Sequence, residues 1–161
     1  DYVLEFGGGY GSMCRLFHNL GFKGQYIIFD LPVFSALQEF YLKSIGINAK
    51  YGANEDTNGV SCIFKIEALK EVLSNKKSKK KSIFIATWSI SEAPIYLRSL
   101  FLSMIGNFDV FLIAYQRQFG ETDNSTYFSA WKDSLKNYQW YNHEIRHLPD
   151  NYYLFGKNTH R

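Results

Sequence analysis

Four glycines in six residues, Gly7-Gly8-Gly9-Tyr10-Gly11-Ser12, follow the apolar run Tyr2-Val3-Leu4-Glu5-Phe6. Glycine takes positive φ at no steric cost and lets the backbone come close to whatever faces it. A strand running into such a cluster turns sharply, approaches a ligand closely, or both. Beyond the turn, Met13, Leu16, Phe17 and Leu20 keep helical spacing, and Gly21 supplies a C-terminal stop. Strand, glycine turn and helix open a parallel α/β unit, and the rest of the chain has to be compatible with one.

It is compatible. Residues 25–29 are a second strand, apolar on both faces and ending at Asp30; continuous apolar strands belong to sheets covered by helices on both sides. Pro32 can open the next helix, whose predicted stripe is Val33, Leu37, Phe40, Tyr41 and Ile45. Residues 47–51 read as a weaker third strand, 52–61 as a polar loop, 62–64 as a short extended piece, and 66–73 as a short amphipathic helix. Strands follow at 82–87 and 109–115. Between them lies a helix from about residue 92 to 105, striped by Leu97, Leu100, Phe101 and Met104. A further helix carries Tyr127, Phe128, Trp131 and Leu135, with Asp123 or Asn124 as its cap. Residues 138–148 and 152–155 flank Pro149-Asp150-Asn151 as a closing hairpin. The expected fold is α/β, a doubly wound, mostly parallel sheet with a C-terminal antiparallel hairpin.

The 161 residues suit a single domain spanning 1–161. Aromatic residues make up 18%, which suits a sheet-rich fold and could also wall a ligand. No apolar run approaches the ~18 residues of a membrane span, and the start has neither the basic region nor the cleavage site of a signal peptide. Cys14 and Cys62 lack metal-ligand spacing and read as packing residues of a reduced compartment. A cytoplasmic protein without a metal site is expected. The net charge of +3 rests on Lys76, Lys77, Lys79, Lys80 and Lys81; without that stretch its sign reverses. The basicity is one loop rather than a nucleic-acid footprint, so no nucleic-acid partner is expected.

In a doubly wound sheet, ligands sit beyond the carboxyl ends of the strands. The glycine turn lies there, leading into a helix N-terminus with free N–H groups and partial positive charge. A triphosphate loop would need Gly-Lys-Ser/Thr at its end, and no lysine occurs between residues 7 and 12. A dinucleotide G-x-G-x-x-G starting at Gly7 or Gly9 would require glycine where Ser12 or Cys14 stands, and one starting at Gly8 is refused by Tyr10. What remains is an acidic-x-G-x-G-x-G pattern led by Glu5.

That stretch resembles the glycine-rich motif of class I S-adenosylmethionine-dependent methyltransferases, and the element order with its late hairpin extends the resemblance over essentially the whole chain. "IATWSISEAP" at 85–94 together with "FDLP" at 29–32 is similar to bacterial sugar O-methyltransferases. The resemblance implies a Rossmann-like seven-stranded sheet, S-adenosyl-L-methionine as cofactor, and methyl transfer to a sugar hydroxyl of a small-molecule acceptor. It implies that Gly7, Gly8, Gly9 and Gly11 bring the backbone to the methionine part of the cofactor, and that Glu5 engages its amino group. Asp30 would hold the ribose, Leu31 would lie against the adenine, and Ile63 would stand at the adenine edge. Trp88 and Ser89 would line the methyl-donor end. Such enzymes build part of the acceptor site from segments before the first strand, and Asp1 stands directly before it, so an N-terminal segment is expected to be missing.

A sugar hydroxyl is a weak acid, so a general base is expected. Glu92, just past the strand at 82–87, is the candidate; an acidic residue favoured at a helix start is the competing explanation. Gln116 and Arg117 could touch the acceptor. His143 and His147 are expected on one face of the strand at 138–148, His18 in solvent, and Glu121 with Asp123 in a loop too ordinary to count as a metal site. Two other functions fit less well: a nicotinamide-dependent oxidoreductase, which needs the glycine spacing read loosely, and a non-catalytic binding domain of the same fold.

Overall fold

The apolar runs become strands, and the computed structural model describes residues 1–56, 58–75 and 81–160. Of the lysine-rich stretch, residues 76–80 lie outside the described residues. The chain divides into two compact units, Asp1–Ser82 and Ile83–Arg161.

The first unit runs β1 (Tyr2–Phe6), α1 (Ser12–Asn19), β2 (Gln25–Phe29), α2 (Pro32–Ser44), β3 (Ala49–Tyr51), β4 (Val60–Ile63) and α3 (Ile66–Ser74). Its strands lie in the order β3-β4-β2-β1, all parallel. Parallel strands covered on both faces are largely apolar. Val3, Leu4, Ile27, Ile28 and Cys62 accordingly have no exposed surface. β4 corrects the expected strand count from seven to eight. It lies between β2 and β3, although its four residues include Ser61 and follow a polar loop. The Ser61 hydroxyl is satisfied there by accepting from the Asn54 N–H at 2.9 Å, which is what lets it be buried.

The second unit runs β5 (Ser82–Thr87, from Ile83), α4 (Ser89–Glu92), α5 (Ile95–Met104), β6 (Val110–Gln116), the short hairpin β7 (Gln118–Phe119) and β8 (Thr122–Asp123), α6 (Asn124–Ser134), β9 (Tyr138–Glu144) and β10 (Asn151–Asn158). β6 is parallel to β5, β10 antiparallel to β6, and β9 antiparallel to β10. The helix expected over 92–105 is two helices. Pro94 holds the preceding Ala93 extended (φ −71°, ψ 148°), as the residue before proline must be. β9 stops at Glu144, so His147 falls in the turn and does not share a strand face with His143. Asp123 caps α6, accepting from the Thr126 N–H at 3.0 Å. Much of the aromatic content is core: Phe111 is surrounded by Phe84, Trp131, Tyr138 and Trp140, with ring centroids 5.3–6.0 Å away.

Eight main strands, mostly parallel and closed by a C-terminal antiparallel pair, give the expected Rossmann-like α/β fold. Among the described residues no helix is long and apolar enough to cross a membrane.

Two helices bury a polar side chain that their apolar spacing does not predict, and leave part of the predicted stripe exposed. α2 buries Ser35, Gln38 and Leu42 and leaves Val33 and Phe40 about three-quarters exposed (70% and 74%). α5 buries Arg98, Phe101 and Leu102 and leaves Leu100 exposed. In both, a polar side chain occupies the inward face because segments packed against the helix supply partners for it: Gly9 and Asp30 for Gln38, and Ser91, Ala93 and Asn124 for Arg98.

Candidate functional site

In the first unit all four strands are parallel, so their carboxyl ends gather on one edge, with the glycine turn beyond β1. Gly7, Gly9 and Gly11 have φ of 72°, 55° and 98°, so the turn is built from left-handed steps that other residues resist. Gly8 is fixed by space instead: a Cβ there would stand 2.6 Å from Ile28 Cγ2 and 3.1 Å from the Glu5 carboxylate. A Cβ on Gly9 would meet nothing within 4 Å, so that side of the turn is open.

Asp30, half-buried past the end of β2, is tied to this turn. Its Oδ2 accepts from the Gly9 N–H at 3.1 Å and from the Gln38 amide at 2.9 Å, and its Oδ1 from the Leu31 N–H at 2.8 Å. Burial raises the Asp30 carboxyl above its ordinary range, and these donors pull it back. The same Gln38 nitrogen donates to the Gly9 carbonyl at 2.8 Å, so the fully buried Gln38 clamps turn and carboxylate together. Its Oε1 is buried with no hydrogen-bond partner. The reverse amide orientation would set that oxygen against two acceptors, so the observed one is required.

Glu5 lies beneath the turn, 2% exposed, accepting from the Tyr26 hydroxyl at 2.9 Å. Burial pushes its carboxyl up to about 7, against the Tyr26 hydrogen bond and with help from the Asp30 charge. A raised acid in the folded state stabilises the fold fully below its unfolded value and loses that contribution as pH rises through about 7. Replacing Glu5 by glutamine, which still accepts from Tyr26, should therefore help more at pH 8 than at pH 4.5, by up to ~3 kcal/mol. Urea melts of both proteins at the two pH values check this; an equal difference at both would refute it.

Leu31 is 63% exposed. Ile63, at the end of β4, is buried, and its carbonyl accepts from the Asp30 N–H at 3.0 Å. At the same edge Tyr51 and Phe64 stack, centroids 4.5 Å apart at 23°. Burial raises the Cys14 thiol far above its ordinary range and the Cys62 thiol to about 12, so neither is a nucleophile.

The second unit places its candidates past β5. Trp88 has φ 63° and ψ −34°, an outlier for a bulky residue that costs ~1–3 kcal/mol and has to be held in place. Three anchors hold it. Its N–H donates to the Ala114 carbonyl at 2.8 Å, its indole N–H to Asn151 Oδ1 at 2.7 Å, and its ring meets Tyr153 edge-on with centroids 6.5 Å apart. Ser89 then opens the four-residue α4, which ends in Glu92. Glu92 is exposed and accepts from the Gln116 amide at 3.3 Å; Gln116 Oε1 is 2.7 Å from the Ser91 hydroxyl.

Beneath α4 lies Arg98, only 1% exposed. It donates to Asn124 Oδ1 at 2.7 Å, to the Ser91 carbonyl at 2.7 Å and to the Ala93 carbonyl at 3.0 Å. No carboxylate among the described residues pairs with it. Its guanidinium lies over the Tyr127 ring, 4.8 Å from the centroid, and burial lowers its pKa. Asn124 continues the network by donating to the Gln116 carbonyl at 2.9 Å. Sequence reasoning missed both Gln38 and Arg98. The sole available signal was a polar residue one helical turn from an apolar one, which usually marks a solvent face.

No protein-family model matches the chain, and no curated protein is similar to it in sequence. Solved structures do share its fold. The methyltransferase domain of bacterial CtHen1 superposes with a TM-score of 0.68 at 10% identity, over 97% of this chain and 89% of that one. The Methanococcus jannaschii fibrillarin pre-rRNA processing protein gives 0.63 at 12%, over 98% and 66%. The magnesium protoporphyrin IX methyltransferase ChlM from Synechocystis PCC 6803, solved with bound SAM, gives 0.60 at 11%, over 97% and 69%. At these identities the likeness is one of fold.

Proposed function

We propose that the protein is an S-adenosylmethionine-dependent methyltransferase acting on a hydroxyl of a small-molecule acceptor, with a sugar as the acceptor class. The observation that carries the reading is the glycine turn, open at Gly9 and tied through the Gly9 N–H to Asp30 at the carboxyl end of a parallel strand. The shared fold supports it, as does the spacing that disfavours triphosphates and dinucleotides.

The residues present fit such a cofactor. No side chain caps the N-terminus of α1, so its N–H groups suit a carboxylate tail. Glu5, near neutrality in its carboxyl equilibrium, would take its negative form opposite an ammonium group. Asp30 Oδ2 already accepts two hydrogen bonds and Oδ1 one, so Oδ1 would receive a ribose hydroxyl. Leu31 would cover the adenine, with Ile63 at its edge. Gly7, Gly8, Gly9 and Gly11 would give the methionine part its close backbone approach, and Trp88 and Ser89 would line the methyl-donor end. The bound cofactor supplies a methyl group already activated on a sulfonium centre. The chain's own task is to position the acceptor, which is worth several orders of magnitude, and to take the hydroxyl proton onto the Glu92 carboxylate.

Calorimetry with S-adenosylhomocysteine and NAD tests the cofactor. Binding of the first without response to the second is expected; the reverse supports the oxidoreductase reading. Glu92→Gln should keep S-adenosylhomocysteine affinity and lower turnover by about 10²-fold or more. Unchanged turnover removes Glu92 as base, and binding without transfer to any sugar points to the non-catalytic domain. Transfer to RNA but not to sugars overturns the acceptor class.

A further inference from the structure

A gap of about 490 Å³ opens in the second unit between α6 and the strands β6, β10 and β9. That volume lies within the usual ligand range of roughly 300–1,000 Å³. A helix facing a sheet ordinarily presents an apolar stripe. α6 does so through Phe128, which is fully buried. Beside it, Ser125, Ser129 and Lys132, spaced i, i+4 and i+7, border the gap.

The strands answer with polar tips. Tyr115 and Tyr152 are register partners on β6 and β10, stacked with centroids 5.4 Å apart at 25°. Asn142 of β9 donates to the Tyr115 hydroxyl at 3.0 Å. The Tyr152 hydroxyl accepts from Arg117 at 2.8 Å, and Arg117 also pairs with Asp150 at 3.2 Å. The β7–β8 hairpin closes the remaining side with Glu121 and Asp123. Ser125 reaches the Tyr115 hydroxyl across the gap, but among the described residues Ser129 and Lys132 meet no polar partner on the strands. A break in patterning of this kind belongs to functional sites.

The charges select the occupant. Arg117 and Lys132 balance Glu121 and Asp123. Asp123 is engaged in capping α6, and Arg117 in Asp150 and Tyr152. Neither Lys132 nor Glu121 has a partner among the described residues. An anion would meet two carboxylates and a cation two basic groups. A neutral molecule dense in hydroxyls can accept from the ammonium, donate to the carboxylate, and use the amide and serine groups both ways, while the paired tyrosine rings offer an apolar floor.

We propose that this groove is a saccharide-binding site for a neutral sugar unit. It lies on the face of β6 that carries Tyr115, with Arg117 just past the strand, opposite the face of Gln116 and its contact to Glu92. It would hold a part of an extended acceptor away from the reacting hydroxyl. Only that last role rests on the methyl-transfer reading.

Calorimetry and saturation-transfer NMR with methyl α-glucoside, methyl α-mannoside, methyl β-galactoside and maltose, against glucuronate and glucosamine, test it. At least one neutral sugar should bind with Kd in the ~mM range, more tightly than its charged counterparts. Ser129→Trp, at an exposed helix position, fills the groove and should weaken that binding at least about tenfold. Glu121→Gln and Lys132→Met should each weaken it about three- to tenfold. All three variants should keep the melting temperature and S-adenosylhomocysteine affinity. Absence of neutral-sugar binding, binding indifferent to Ser129→Trp, or preference for either charged sugar would overturn the proposal. Sugar binding without S-adenosylhomocysteine binding would sink the methyltransferase reading and leave the groove standing.

Discussion

Gln38→Glu should weaken S-adenosylhomocysteine binding by about 10²-fold at pH 8 and by clearly less at pH 5. Gln38 has no exposed surface, and its nitrogen donates at once to the Gly9 carbonyl and to Asp30 Oδ2. A glutamate of the same shape puts an acceptor where that donor stood and a second negative charge against Asp30. Two carboxyls at such a distance share a proton. Once protonated, the pair regains one donated hydrogen bond of the original two, so acid restores part of the clamp. Gln38→Met loses the hydrogen bonds without adding charge and should lack the pH dependence. Affinities for the three proteins across pH 5–8, with melting temperatures alongside, separate displacement of the turn from loss of fold. A Gln38→Glu affinity parallel to wild type over the whole range would remove Gln38 as the clamp.

Arg98→Met should destabilise the protein by ~3–5 kcal/mol, lowering the melting temperature by roughly 10 °C. Replacing a buried ion pair by an apolar residue is often harmless, because both charges leave together. Here the cation has no carboxylate partner among the described residues, so what stays behind is three oxygen acceptors: Asn124 Oδ1 and the Ser91 and Ala93 carbonyls. Each buried acceptor left unpaired costs ~1–3 kcal/mol. Arg98→Lys should recover only part of the loss, since one ammonium cannot reproduce a fork reaching three acceptors. Denaturant melts measure both; a loss under ~1 kcal/mol for Arg98→Met would show that the network relaxes without it.

The two residues behind these effects share a reason for escaping detection in the sequence. Strand positions were readable because a covered parallel strand is apolar on both faces, and no other arrangement of Gln25–Phe29 or Ser82–Thr87 would bury it as well. The glycine turn was readable from spacing alone, and so was Asp30 at the end of β2. Helix faces were not, because spacing records which residues are apolar, not which loop lies underneath. The apolar residues of α2 suggested Val33 and Phe40 as the inward stripe; the inward position went to Gln38, whose partners on Gly9 and Asp30 are far away in sequence. α5 repeats the case with Arg98. β4 was obscured for a related reason: Ser61 is a poor strand residue until Asn54 supplies its hydrogen bond. In each instance a polar group is buried because tertiary structure satisfies it, and local propensity holds no record of that.

The anchoring of Trp88 also sets an order of events during synthesis. Asn151, which holds the indole, is 63 residues further along the chain, and Tyr153 further still. When residue 88 leaves the ribosome none of these partners exists, and a tryptophan at positive φ has nothing to offset its strain. β5 and β6 can pair through nearer contacts, but the turn between β5 and α4 takes its final shape only after β10 has been made and has returned to β6. Non-local contacts of this kind form late. The turn that carries Glu92 thus takes its geometry from a strand translated more than sixty residues after it.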